Sequence, residues 1–113
     1  MKKYHIIFNP SIYLKMEDIF THIAIESKQI AIQIIDGIEK QIMSLELMPE
    51  RFPIIPEKIN YKNYQVRHFF YKKSFRIIYV ICKNEVHILD VRHSARNYIL
   101  GACRKSNFLK NLS

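Results

Sequence analysis

Apolar residues cluster over Tyr4 to Phe8, recur at three- and four-residue intervals from Ser11 to Leu45, and return to short continuous runs after Pro56. Each change of period marks a change of element. Tyr4-His5-Ile6-Ile7-Phe8 reads as a strand stopped by the turn signal Asn9-Pro10. Ile12, Met16, Ile19, Phe20 and Ile23 share one face of a helix ending near Glu26, with Lys15, Glu17, Asp18 and His22 between them. Ser27 can cap a second helix whose stripe is Ala31, Ile34, Ile35, Ile38, Ile42 and Leu45, and Pro49 ends it or closely follows its end. Pro49 to Pro56 carries three prolines, which fix φ and remove backbone donors, so the segment reads as a connector laid over the surface, without helix. Tyr64 to Tyr71, Phe75 to Cys82 and Val86 to Val91 are β-branched and aromatic runs, and the gaps Lys72-Lys73-Ser74 and Lys83-Asn84-Glu85 are short enough for hairpins. From Ser94 the pattern weakens, and Tyr98 to Leu109 fits a short helix or a tail.

The order β-α-α-β-β-β predicts an α+β fold, with a two-helix hairpin packed on one face of a mainly antiparallel four-stranded sheet. No second layer is evident for the opposite face, which is expected to be a concave binding surface lined with Arg. With 113 residues, 49% of them hydrophobic, and no linker-like stretch, residues 1–113 are expected to form one domain, with 99–113 a C-terminal tail or short helix. No apolar run approaches the roughly 20 residues of a spanning helix, so no membrane role is expected. Cys82 and Cys103 lack paired-cysteine spacing and no signal-peptide pattern follows Met1-Lys2-Lys3, which together predict a reducing, cytoplasmic setting.

Charge changes the picture more than composition does. Residues 1–57 hold 6 Lys or Arg against 8 Asp or Glu, a net −2, whereas residues 58–113 hold 12 against 2, a net +10. Such a field attracts polyanions or an acidic protein partner. The surplus falls among the strands, at Arg67, Arg76, Arg92, His93 and Arg96. Arg76 sits mid-strand, where an unpaired buried guanidinium would cost several kcal/mol, so it faces an anion or a polar site, or else pairs with a carboxylate such as Glu50 or Glu57. His93 is the acid-base candidate; with Arg76 and Arg96 it could supply the base, acid and charge stabilisation of RNA cleavage, or it could simply cap the last strand. Tyr98, beside Arg96, could stack on a base, whereas Tyr71 and Tyr79 read as packing residues and Cys82 as a buried small hydrophobe. His5, His22, His68 and His87 read as surface or sheet residues, and no metal site or cofactor is expected.

The loop Leu47-Met48-Pro49-Glu50-Arg51-Phe52-Pro53, Val66-Arg67, the strand Phe75-Arg76-Ile77-Ile78-Tyr79, and Ile88-Leu89-Asp90-Val91-Arg92-His93-Ser94-Ala95-Arg96 together resemble the RelE/ParE superfamily of type II toxin-antitoxin toxins, over residues 4 to 98. That resemblance implies a bacterial growth inhibitor silenced by a cognate antitoxin. Two mechanisms come with it. ParE-like members poison DNA gyrase without hydrolytic chemistry; RelE-like members are ribosome-dependent, metal-independent mRNA endonucleases, for which Arg76, His93 and Arg96 would be catalytic. The Pro-rich loop, the His-x-x-Arg ending, the sparse Ser94-Ala95 and the distance of Tyr98 from the chain end favour the ParE-like reading. Arg67, Arg92 and Tyr98 are then the expected target- or nucleic-acid-binding residues. A non-toxic basic nucleic-acid-binding domain is the third reading.

Overall fold

Residues 2–59 and 61–93 are described by a computed structural model. Strand β1 (His5–Phe8) leads into helix α1 (Pro10–Ala24), where Asn9 caps the first turn by accepting from the Ser11 amide at 3.1 Å and Pro10 supplies a preset φ. Ser27 caps α2 (Lys28–Met43) by accepting from the Ile30 amide at 3.2 Å. A 3₁₀ turn at Ser44–Glu46 follows, then another at Pro49–Arg51. Strands β2 (Val66–Tyr71), β3 (Phe75–Cys82) and β4 (Glu85–His93) complete the described chain.

The four-stranded sheet has the order β1-β4-β3-β2, with β2, β3 and β4 antiparallel and β1 parallel to β4. Ile12, Ile19, Ile38, Ile42 and Leu45 bury their side chains against Phe69, Phe75, Ile77, Tyr79, Ile88 and Val91. The α+β arrangement read from the period changes is therefore the observed one. β4 carries a bulge opposite Ile78 and Tyr79: Ile78 pairs with Asp90 while Tyr79 pairs with Ile88, leaving Leu89 as the extra residue.

The connector departs from the expectation in two ways. It holds the 3₁₀ turn Pro49–Arg51, because Pro is tolerated in the first turn of a helix. It also wraps around the β2 edge and enters both faces of the sheet. On the helix side, Tyr79 Oη donates to the Pro49 carbonyl at 2.6 Å, Arg67 donates to the Phe52 carbonyl at 2.7 Å, and Phe52 stacks on Phe69 at 4.8 Å between ring centroids. At the edge, the Ile55 amide donates to Val66 at 2.9 Å and the His68 amide to Pro53 at 3.1 Å. Beyond it, Ile55 is buried with Val66, Ile78 and Val80, against partly buried Tyr61 and Leu89. The second face therefore has a partial layer of its own, in which Ile55 of the connector covers Val66 of β2 and Ile78 and Val80 of β3.

Candidate functional site

On that second face, Arg76 of β3 is flanked in register by Phe70 of β2 and Arg92 of β4, so these side chains form a row across the strands. The Arg76 side chain is 12% exposed and its donors are committed. Nε donates to His68 Nδ1 at 2.8 Å, and the two terminal nitrogens donate to both oxygens of Glu57 at 2.6 and 2.7 Å. This is a planar two-on-two match of guanidinium and carboxylate. The Arg76 hydrogen bonds hold the Glu57 carboxyl well below its usual range, at about 2. Burial, and then the Arg76 charge, push His68 down. A ring that accepts at Nδ1 is neutral and carries its proton on Nε2. Of the alternatives for Arg76, the carboxylate pair is present, and it is made with Glu57; Glu50 instead accepts from Tyr4 Oη at 3.1 Å.

Arg92 donates through Nε to Asp90 Oδ2 at 2.8 Å. Asp90 is 2% exposed, and its Oδ1 accepts from the Val91 amide at 2.9 Å and from Lys15 of α1. β1 pairs only with Glu85–Ile88, so Asp90 lies past its end, where α1 can reach β4. Arg67 faces the helix side and secures the connector through the carbonyls of Phe52 and Glu50. The expected Arg-lined open face is thus a face on which the arginines are half-buried and internally bonded. Among the described residues, the exposed positive charges of this half are Lys58 of the connector and the turn residues Lys62, Lys72, Lys73 and Lys83. Of these, Lys62, Lys72, Lys73 and Lys83 take left-handed φ values between 49° and 62°.

His93 pairs with Phe75, and their rings stack at 4.4 Å; the His22 ring of α1 meets it edge-on at 6.3 Å. Successive strand residues point to opposite faces, so His93 lies on the helix side and Arg76 on the other. The structure does not bring these two candidates together. Arg96 and Tyr98, the Tyr98 to Leu109 segment, the 99–113 tail and Cys103 lie outside the described residues. Cys82 is half-buried instead of fully buried, and its Sγ lies 2.9 Å from Tyr64 Oη. Among the described residues, no group of three or more His, Cys, Asp or Glu is placed to hold a metal ion.

Sequence reasoning missed His68, Phe70, Lys15 and Asp90 as parts of these networks. For Asp90 a signal exists: a carboxylate inside Ile88-Leu89-Asp90-Val91 must meet a cation by the same argument that singled out Arg76. For Phe70, 53% exposed between buried Phe69 and half-buried Tyr71, the alternation along β2 is the signal.

A family model described as "ParE toxin of type II toxin-antitoxin system, parDE" matches residues 6–98. No curated protein matches the sequence. Among solved structures, a chain of the chromosomal ParDE TA system from P. aeruginosa superposes with a TM-score of 0.68 at 14% identity, covering 80% of this chain and 96% of that one. At that identity the likeness speaks for the fold.

Proposed function

This chain belongs to the ParE toxin family of type II toxin-antitoxin systems, and from that membership we propose that it arrests bacterial growth by poisoning DNA gyrase in the cytoplasm. Family membership implies a cognate antitoxin as partner. The observation that favours gyrase over ribosome-bound mRNA is the separation of His93 and Arg76 onto opposite faces of the sheet. Metal-free RNA cleavage needs a proton-transfer group and a charge-stabilising group converging on one phosphate. Here the imidazole is stacked on Phe75 on the helix side, while the guanidinium is bonded to Glu57 and His68 on the other. The target-facing surface in this reading is the second face, with Arg76 and Arg92; Arg67 supports it by fixing the connector.

Expression without the antitoxin is expected to arrest growth and induce the DNA-damage response, and the purified chain to inhibit gyrase supercoiling. His93→Ala should leave that inhibition within a fewfold of the parent. Codon-positioned mRNA cleavage on ribosomes, lost in His93→Ala, would overturn the gyrase reading in favour of the nuclease. Growth unaffected by a folded, expressed chain would remove toxicity altogether and leave a basic binding domain.

A further inference from the structure

The Glu57 carboxylate that fills the Arg76 site comes from the connector, not from the sheet. Its side chain is 43% exposed, against 12% for Arg76. The pair is thus asymmetric: the cation is fixed and half-buried, and the anion approaches it from the solvent side. His68 Nδ1 accepts the hydrogen bond from Nε and sets the plane of the guanidinium, leaving the terminal donors as a two-pronged fork for a planar carboxylate. Beside the fork, Phe70 is 53% exposed, and Ile59, two residues past Glu57, is 46% exposed. An acidic residue flanked by an apolar one would meet matching chemistry here.

We propose that the Arg76 fork is a docking point for an acidic side chain of the antitoxin, and that Glu57 is an internal stand-in which this side chain displaces. The inference rests on the antitoxin partnership implied by the family and names a contact for it. Three observations carry it. The site already seats a carboxylate in two-pronged geometry, so the class of ligand is given by the present occupant. Exchange never leaves Arg76 without an anion, the state that would be most costly for a half-buried guanidinium. Glu57 moves from a half-solvated position into water, so its release carries little desolvation change. The net +10 of residues 58–113 attracts an acidic segment to this half of the chain.

The test uses Glu57→Gln, which keeps shape and drops charge, and Glu57→Ala, which empties the seat, each alone and with Arg76→Gln. Association with the cognate antitoxin is measured by stopped-flow mixing and equilibrium titration. Removing a competing anion should tighten antitoxin binding about tenfold, the scale of a charge-assisted hydrogen bond, and the gain should vanish in the Arg76→Gln background. A merely structural Glu57 gives the opposite sign: loosening the connector would weaken binding or leave it unchanged, and either result overturns the proposal. A second arm needs no partner. Acetate replacing chloride at constant ionic strength should raise the Tm of Glu57→Ala, but not that of the parent or of the double variant. Failure of the parent to bind the antitoxin would count against the partnership itself; absence of the acetate effect in folded Glu57→Ala would sink the docking point independently.

Discussion

At the scale of single residues, the charged groups of the sheet are governed by burial. Asp90 is the buried charged side chain among the described residues, and Lys15, Arg92 and the Val91 amide all converge on it. Asp90→Ala should destabilise the fold by about 3–5 kcal/mol, because it removes the anion shared by two cations drawn into a partly buried space. Lys15→Met should cost far less, since Arg92 and the amide still hold the carboxylate; equal losses in urea unfolding would refute this division of roles. The Arg76 node makes a separate prediction about pH. Its His68 is pushed below the ordinary imidazole value in the folded chain, so the unfolded chain takes up that proton first, and stability falls as pH drops below about 6.5. Glu57, held down at about 2, contributes stability that is present above its unfolded value near 4.5 and is lost as pH falls from there toward 2. Glu57 is well solvated, so its step should be small, about 1 kcal/mol or less. In a pH series of unfolding midpoints, His68→Asn should flatten the limb that starts near pH 6.5 and leave the acid limb in place. An unaltered upper limb would show that His68 does not contribute to it.

At the scale of elements, one close approach joins α2 to β2. A Cβ built on Gly37 would lie 1.9 Å from Tyr71 Oη, so the tyrosine ring occupies the space that a side chain at that position would need. Gly37→Ala should therefore destabilise by about 1–3 kcal/mol, as overpacking does, although Ala is the better helix former. In a Tyr71→Ala background the sign should invert, with Gly37→Ala stabilising by about 1 kcal/mol. A stabilising Gly37→Ala in the parent would show that Tyr71 can swing aside freely. Legibility in the sequence followed the same division. Helices and strands were readable because Ile12, Ile19, Ile38 and Ile42, and the runs around Ile77 and Val91, repeat at the period of the element they form. The connector's second layer was not, because Ile55 stands between prolines with no period to read, and its burial depends on Ile78 and Val80 far along the chain. For the same reason Arg76 could be recognised as needing an anion, but Glu57 and Glu50 could not be separated without the course of the chain around the β2 edge. The opposite facing of Arg76 and His93 was implicit in strand alternation, yet it required the register Phe75↔His93 to become visible.

For the whole molecule, the charge split takes a specific form: among the described residues, the half at +10 keeps its arginines in internal bonds and exposes its lysines, four of them at turns. Diffuse lysine charge steers encounters over a distance set by salt, so association with the antitoxin should slow steeply as ionic strength rises, while dissociation, governed by buried apolar contact, should change much less. An association rate indifferent to salt would mean that the basic half plays no part in capture. The parallel pairing of β1 with β4 has a consequence in time. His5 finds its partner at Glu85, so the first strand made is the first to wait, and it waits for the last strand described. At a synthesis rate of roughly 5–20 residues per second, the 80 residues from His5 to Glu85 take about 4–16 s, and β1 lacks its partner for that time. β1 therefore cannot take its place in the sheet until β4 has been made, and the helices gain their full apolar cover only from that point.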